Sequence, residues 1–538
     1  MLAIALTGLL AAVGPAAAAP RHLPALRPAG NDGLAQALRT GALTKAEYAH
    51  ERVRSLSQPA RARRLFGDVE EAGPRDATEL LRDLAARLDQ LSPSQRALAR
   101  RLLARPTSAH DSFRHYRYPA KHTCESRMCF WWVTKGVDAP SLHDGNRNHV
   151  PDWVDATRKV FQHVWSTEVG GYRYRAPRSD AASRNNGGSK KLDIYIADLG
   201  ALGLYGYCTS DDPATSFRSY ASAYCVVDDD FSRRQFRTGA YGQAALKVTA
   251  AHEFFHAVQF GYDWLEDAWL MEGTAAWIED EVYDSINDNR QYLSRSPISA
   301  TRFWHPLDYY SANNNSAESI YKYGAWIYWR FMSEHFGRDV IRSVWRRADS
   351  IRGAPDDYSI KAAANVLAGR GTNLTDFLAD FGATNLLPSI GYQEGAAYPT
   401  PIPTSTTPVG LGGLPRTNPG IVMPHLSNDY YAFVPSGVTS GSTLTLDVEQ
   451  PGPETSPRSQ VVYQAAADGS VTRIPAVQDI VTGHWKIVVP NFELAARVTL
   501  VLTNASMRYT GCWHGKVYSC QGTPVDDNVQ FFYTATVS

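Results

Sequence analysis

Residues 248–260 read VTAAHEFFHAVQF, with His252 and His256 four positions apart and Glu253 between them. Side chains four residues apart project from the same face of an α-helix. The apolar residues of 244–260 cover most directions around such a helix. We therefore expect this helix to be buried in the protein and to pack against a sheet.

One polar stripe interrupts this apolar helix. It is formed by Thr249, His252, His256 and Gln259, and Glu253 borders it. Buried polar groups without partners cost about 1 to 3 kcal/mol each, so the stripe predicts an enclosed polar site or a metal ion. Two imidazoles at this spacing suit tetrahedral zinc. The alternative is a pair of core histidines hydrogen-bonded to neighbours, which leaves Glu253 without a use.

A catalytic zinc ion has three protein ligands and one open position. Downstream, residues 269–279 read WLMEGTAAWIE. An HExxH helix followed by a helix that opens with Glu-Gly-x-Ala resembles the gluzincin metallopeptidases, especially their aminopeptidase branch, and also less characterised secreted bacterial metallopeptidases. The resemblance covers about residues 190–340. It implies an α+β zincin-like fold, Glu272 as the third zinc ligand and a protein or peptide substrate.

The chemistry implied is attack of zinc-activated water on a peptide carbonyl, with Glu253 as the general base. The linker between His256 and Glu272 has 15 residues, which is shorter than is typical of the aminopeptidase branch. The Gly-rich motif by which that branch seats a substrate amino terminus is not apparent either. We therefore expect an endopeptidase.

The resemblance also assigns two supporting residues. Glu279, seven residues beyond Glu272, matches a carboxylate that holds a ligand histidine in place. The alternative role of Glu279 is that of an exposed, solvated charge on the surface of the helix. Tyr321 matches the Tyr-x-x-Gly tyrosine that donates to the oxyanion in the aminopeptidase branch, and Tyr323 is the second candidate.

Length and composition limit the other classes of function. A chain of 538 residues is too long for one ordinary core, so we expect two or three folded units. The 54 basic and 54 acidic side chains cancel, so no overall field attracts nucleic acid or an anionic membrane. Nucleic-acid binding is therefore disfavoured.

The first residues predict export. Residues 1–18 form an apolar run followed by small residues, which is typical of a signal peptide cleaved between Ala18 and Ala19. A membrane anchor is the alternative, but the run is shorter than the ~20 residues that a membrane span needs. No later segment reads as a span. We expect a secreted, extracellular protein without integral membrane association.

The six cysteines fall into three close pairs: Cys124 with Cys129, Cys208 with Cys225, and Cys512 with Cys520. In an oxidising compartment this spacing favours three local disulfides. A zinc site built from cysteines is the alternative, and it lacks the two-residue spacing that such sites usually show.

Four further regions follow the signal peptide. Residues 19–112 are predicted to be helical, with leucines at helical spacing over 80–91 and a helix start at Ser92 and Pro93. The sequence leaves open whether this region is a propeptide or a permanent subdomain. Residues 113–397 form the catalytic unit, with strands predicted at 192–197 and 224–227. The range 398–420 is rich in Pro and Gly and predicts a linker that resists helix and sheet. Beyond it, residues 421–538 predict an antiparallel β-sandwich.

A calcium loop is predicted at residues 144–155, DGNRNHVPDWVD. Oxygen ligands fall at the spacing of an EF-hand loop, with Val150 contributing its carbonyl: Asp144, Asn146, Asn148, Val150, Asp152 and Asp155. His149 stands where such loops have Gly, and Asp155 stands where a longer Glu normally binds. The alternative is an Asx-turn that leads into the following helix.

Two other functions remain open at this point. In the first, the chain is a non-catalytic surface or carbohydrate-binding protein whose β region binds and whose zinc site is vestigial. In the second, the zinc chemistry acts on a substrate that is not a peptide. No pattern in the sequence predicts the cleavage preference or the oligomeric state.

Overall fold

The computed structural model describes residues 32–538 apart from 71, 109–112, 184, 213–218, 237–238, 311–318, 413–415, 419 and 515. The predicted signal peptide lies outside the described residues. Within the described part of the chain, no helix combines the length and apolar character needed to cross a bilayer.

The N-terminal region is helical, as predicted. It comprises α1 (Gly33–Arg39), α2 (Lys45–Ser57), α3 (Pro59–Phe66), α4 (Ala77–Ala86) and α5 (Pro93–Leu102). The predicted helix start is confirmed, because the Ser92 hydroxyl accepts from the Gln95 amide in a capping box and Pro93 occupies the first turn. Leu81 and Leu84 of α4 are fully buried, so α4 presents its apolar face to the main core.

The central region contains a five-stranded mixed sheet. Its strands are β1 (Ala120–Cys124), β2 (Met128–Val133), β3 (Leu192–Ala197), β4 (Gly206–Thr209) and β5 (Tyr224–Asp228). They lie in the order β1-β2-β3-β5-β4; the three inner strands are parallel and both edge strands are antiparallel to their neighbours. The strands predicted at 192–197 and 224–227 are β3 and β5.

In the part of this region that the structure describes, nine α-helices surround the sheet or extend from it. They are α6 (Asp152–Trp165), α7 (Gly242–Gln259), α8 (Ala268–Tyr283), α9 (Tyr321–Gly324), α10 (Trp326–Phe336), α11 (Asp339–Arg347), α12 (Ser359–Ala368), α13 (Leu374–Asn385) and α14 (Pro388–Gly391). Helix α7 contains the quoted stretch and is buried over most of its length, as expected. Helix α8 begins at Ala268, so Glu272 lies inside this helix and not at its opening.

Helix α7 crosses edge strand β4 closely at Gly206. A Cβ atom on Gly206 would lie 2.9 Å from the Thr249 methyl group and 3.0 Å from Cγ of Glu253. Because every other residue carries that Cβ, glycine is needed for this close approach. The contact places Glu253 directly against the sheet.

The C-terminal region is β-rich. Its strands are β6 (Ser405–Val409), β7 (Arg416–Thr417), β8 (Ile421–Met423), β9 (Ser427–Pro435), β10 (Leu444–Glu449), β11 (Pro457–Ala465), β12 (Val471–Pro475), β13 (Val477–Gln478), β14 (Trp485–Val489), β15 (Ala495–Asn504), β16 (Tyr509–Thr510), β17 (Thr523–Pro524) and β18 (Val529–Val537). One sheet has the order β12-β11-β15-β9-β6 and another β13-β14-β10-β18-β7. Their apolar side chains form one buried cluster, which is the packing that the predicted sandwich requires.

The range 398–420 departs from its prediction. It contains β6, which pairs in parallel with β9, so the expectation that this range resists sheet is wrong. Among the described residues of 421–538 the strand pairs are antiparallel, as predicted. The physical reason is position, because β6 is an edge strand and Pro408 can lie there without breaking a ladder on both sides. Composition indicates only the local conformational preference of the chain, and pairing with a neighbouring strand overrides that preference.

The three predicted disulfides are present. Cys124–Cys129 joins β1 to β2, Cys208–Cys225 joins β4 to β5, and Cys512–Cys520 closes a loop before β17. The first two pairs are directly opposite each other in their ladders. The Cys208–Cys225 bridge therefore fastens the edge strand against which α7 packs.

The β-rich region is tied to the central region through a buried carboxylate, Asp308. Its Oδ1 atom lies 3.0 Å from Nε2 of His425, and its Oδ2 atom accepts from the Tyr509 hydroxyl at 2.6 Å and the Ser519 amide at 2.8 Å. The other ring nitrogen of His425 lies 2.6 Å from Asp527. Burial alone would lower the pKa of His425, but the two carboxylates outweigh it and raise the pKa to about 9.

This pair predicts a pH-dependent contribution to stability. Because the folded pKa of His425 exceeds the unfolded value, its contribution is complete below about pH 6.5 and is lost as the pH rises to about 9. We expect the difference in unfolding free energy between the wild type and His425→Gln to shrink by roughly 3 kcal/mol across that window. Denaturant unfolding at several pH values measures it.

His484→Gln is the control, because His484 forms a partly exposed pair with Asp447 and such pairs contribute little. A pH-independent difference between the wild type and His425→Gln would contradict the prediction.

Candidate metal centre

Three predicted ligands meet at one point inside the protein. Nε2 of His252 lies 3.2 Å and Nε2 of His256 lies 3.5 Å from the same oxygen, Oε2 of Glu272. Two atoms at zinc-ligand distances of about 2.0–2.1 Å are about 3.3 Å apart across a tetrahedral angle. All three side chains are completely buried. Two of the separations between ligand atoms are therefore close to those around a tetrahedral ion, and all three ligand atoms lie within 4.8 Å of one another.

Each imidazole is oriented by a partner on its other nitrogen. Nδ1 of His252 lies 2.7 Å from Glu279, the contact expected for that residue. Nδ1 of His256 lies 2.7 Å from Oε1 of Gln259, whose amide nitrogen donates to the Met271 carbonyl. Because Gln259 presents an oxygen, His256 must donate from Nδ1, which leaves its Nε2 lone pair for a metal.

The charges at the centre also fit a cation. Burial would lower the pKa of His252, but hydrogen bonds with Glu272 and Glu279 outweigh it and raise the pKa to about 9. Burial likewise opposes ionisation of Glu272, yet the two histidines hold its pKa well below the usual range. Both shifts arise from the attraction between the histidines and the carboxylates around them. His256 Nε2 makes no hydrogen bond with any described residue, and a metal ion would give it a partner.

Glu253 lies beside the predicted ligands and is also fully buried. One of its oxygens accepts from the Thr78 hydroxyl at 3.0 Å, and the other has no hydrogen-bond partner among the described residues. Burial raises the pKa of the Glu253 carboxyl. The Thr78 hydroxyl in turn accepts from the Cys208 amide of β4. The N-terminal region therefore reaches the centre through α4.

The tyrosine that the structure places against the centre is Tyr323, whose ring centroid lies 6.1 Å from that of His252. Its hydroxyl donates to Asp76 at 2.9 Å. The Tyr321 hydroxyl donates to the His305 carbonyl at 3.2 Å, and its ring contacts His305 and Tyr309. The role predicted for Tyr321 stays a prediction, and the geometry favours Tyr323.

Several residues of the centre were not identified from the sequence. Gln259 was recognised as part of the polar stripe but was given no role. Arg75, Asp76, Thr78 and Lys322 were missed, because they reach the centre from segments far away in the chain: Arg75 pairs with Glu279, and Lys322 pairs with Asp76. No local pattern marks them. The one hint is an unusually charged turn, Arg75–Asp76, directly before the leucine-rich α4.

The predicted calcium loop is compact. Side chains of Asn146 and Asn148 both donate to Oδ2 of Asp155, and Asp144 accepts the Asn148 and His149 amides. His149 takes the left-handed conformation for which such loops use Gly, with φ 66°.

An Asx-turn, which is the alternative to a calcium site, accounts for the same contacts. Asn146 and Asn148 each accept from the amide two residues on. Asp152 accepts the Gly145 amide, and Arg158 pairs with Asp155. A calcium ion would have to compete with that arginine, so calcium stays a prediction.

Comparison with known proteins adds little to this picture. No family model matches the chain, and no curated protein matches it. A matching solved structure is the pre-peptidase C-terminal domain of collagenase from Bacillus anthracis, with 13% identity and a TM-score of 0.15. The match covers 26% of this chain and 98% of that chain. A TM-score this low carries no argument about fold or function.

The hydrogen bond between His252 and Glu279 predicts a metal-affinity effect. We expect Glu279→Gln to bind zinc about 10- to 100-fold more weakly than the wild type, because the ligand imidazole loses its charged partner. Competition with a chelator of known zinc affinity measures the change. Glu281→Gln is the matched control, since Glu281 lies on the same helix but pairs with Arg330. Equal affinities for the Glu279→Gln variant and the wild type would contradict the prediction.

The calcium loop predicts a rise in melting temperature on addition of calcium. The rise should be absent in Asp144→Asn, because the loop then lacks one of its carboxylates. Magnesium at equal ionic strength is the control for a general salt effect. An unchanged melting temperature of the wild type in calcium would favour the Asx-turn alone.

Proposed function

We propose that the chain is a zinc-dependent peptidase of the gluzincin type, with His252, His256 and Glu272 as zinc ligands. The observation that carries the proposal is the convergence of both Nε2 atoms on one Glu272 oxygen, at 3.2 and 3.5 Å, beside Glu253. A buried pair of structural histidines would leave Nε2 of His256 without a hydrogen-bond partner among the described residues.

Zinc, when bound, supplies a Lewis acid that polarises a carbonyl oxygen and lowers the pKa of water. Glu253 is the group suited to accept the proton from water and return it to the leaving amine. Its raised pKa supports that role, since a carboxyl with a pKa nearer neutrality exchanges protons more readily at neutral pH. One Glu253 oxygen has no hydrogen-bond partner among the described residues, so it is available to accept the proton and return it.

A developing oxyanion needs a hydrogen-bond donor. Tyr323 is the donor that we favour over Tyr321, because its ring lies against His252. In the chain as described, its hydroxyl is engaged by Asp76. The donor therefore becomes available only when α4 moves.

The covering of the centre supports a latent form of the enzyme. His252, Glu253, His256 and Glu272 have no exposed surface, and Thr78 of α4 contacts Glu253. A peptide reaches these groups only if the N-terminal region is displaced. This favours the propeptide over the permanent subdomain.

The remaining features belong to the same proposal. A mixed sheet packed against the metal helix is compatible with a zincin-like fold. The predicted signal peptide and the three disulfides support a secreted protein that acts on proteins or peptides outside the cell.

The decisive variant is Glu253→Gln. After limited proteolysis that cuts the N-terminal region, we expect the wild type to hydrolyse unfolded casein and Glu253→Gln to be slower by about 10²- to 10⁴-fold, because the base is lost. Both should contain one zinc per chain, measured by elemental analysis. Glu281→Gln is the control for loss of a nearby carboxylate. Absence of zinc from the wild type, or equal hydrolysis by a zinc-loaded Glu253→Gln, would overturn the proposal.

A further inference from the structure

We propose that Lys322 forms a subsite for a substrate carboxylate, and that residues 76–79, here called the 76–79 segment, occupy it in the intact chain. The inference rests on the proposed peptidase function and deepens it, because it names acidic peptides as the preferred substrates.

Lys322 is a completely buried cation whose ion pairs both come from the N-terminal region. Its ammonium lies 3.0 Å from Oδ1 of Asp76 and also pairs with Glu79. The same Oδ1 atom accepts from the Tyr323 hydroxyl at 2.9 Å. One carboxylate oxygen is therefore held by a cation and a hydroxyl together, which is how proteins bind carboxylate ligands.

This cation lies next to the metal centre. The Lys322 carbonyl is 3.4 Å from the position of a Cβ on Gly273, the neighbour of Glu272, and Tyr323 lies against His252. The positive charge of Lys322 acts on Glu79 and Glu272 alike. A carboxylate bound by Lys322 would thus sit within reach of the reacting centre.

The 76–79 segment contacts the proposed base and the cation together. Thr78 donates to Glu253, Asp76 accepts from Tyr323, and Glu79 pairs with Lys322. Thr78 thus lies against the base, while Asp76 and Glu79 on either side of it both pair with Lys322. We infer that they stand in the place of a substrate, with Asp76 and Glu79 standing in for its acidic side chains.

The packing around the N-terminal region is compatible with its displacement. A cleft of about 470 Å³ separates Leu56 and Pro74 from Leu202. A second cleft, of about 690 Å³, separates Leu98 from Ser210. Protein interiors are normally close-packed, so these gaps mark an interface that is less complete than a core. Once the segment leaves, Lys322 lacks both of these carboxylate partners.

The first test measures the subsite without catalysis. Hydrogen exchange of the amides in the 76–79 segment is followed in the full chain with a hexapeptide of alternating Glu and Ala, and with the same peptide carrying Gln for Glu. We expect the Glu peptide to accelerate exchange by on the order of tenfold more than the Gln peptide, since hydrogen bonds to charged groups are the stronger ones. Equal effects of the two peptides, or none, overturn the proposal.

Variants make this test specific. Asp76→Asn with Glu79→Gln weakens the internal occupant and should increase the effect of the Glu peptide. Adding Lys322→Met to that pair removes the cation together with the charges of both carboxylates that pair with it, so the variant should lose the effect. Asp83→Asn is the matched control on the same helix, because Asp83 pairs with Arg87 at the surface. An effect that persists in the triple variant overturns the proposal.

A second measurement separates this inference from the proposed function. After the N-terminal region has been cut, kcat/KM is compared for peptide substrates that carry Glu or Gln at one position. We expect a preference for Glu of about tenfold or more, retained by Lys322→Arg and lost in the triple variant. Hydrolysis without preference overturns the subsite and leaves the peptidase intact. A selective exchange effect without any hydrolysis overturns the peptidase and leaves a carboxylate-binding site.

Discussion

Burial of two imidazoles and a cluster of carboxylates at one point is the constraint on which the rest of the structure depends. His252, His256, Glu253 and Glu272 have no contact with water, although groups of this kind are costly to bury without compensation. Helices α7 and α8 must therefore approach closely enough for the ligand atoms to meet. Gly206 permits the matching approach of α7 to the sheet.

The same constraint explains why the N-terminal region is part of the centre. Glu253 has one hydrogen bond from Thr78, and Lys322 is neutralised by Asp76 and Glu79, so α4 supplies partners that the central region lacks. The arrangement stabilises the closed state through charge pairing. In the proposed function, displacement of α4 would expose Glu253 and Lys322 at once, so latency and recognition would follow from one set of contacts.

A different set of contacts attaches the β-rich region to the central region. Asp308 holds His425, Tyr509 and the Ser519 amide, and helix α13 covers the sheet that contains β9, β11 and β15. Strand β6 leads from the central region into that sheet. The two regions are therefore joined by buried polar contacts and a shared apolar surface, and not by a free linker.

The sequence by itself determined the features that repeat locally. The pattern of apolar residues predicted α7, short local runs predicted the strands at 192–197 and 224–227, and the cap at Ser92 predicted α5, because these features depend on neighbours within a few residues. Resemblance to the gluzincin family predicted that Glu272 binds the same metal ion as His252 and His256. Only the tertiary structure decided that Thr78 and Lys322 belong to the centre. Their partners Glu253 and Glu79 lie 175 and 243 residues away, and the type of a side chain does not indicate which distant residue it will contact. The failure at 398–420 has the same cause, because whether a proline-rich stretch becomes a strand depends on whether another strand presents an open edge to it.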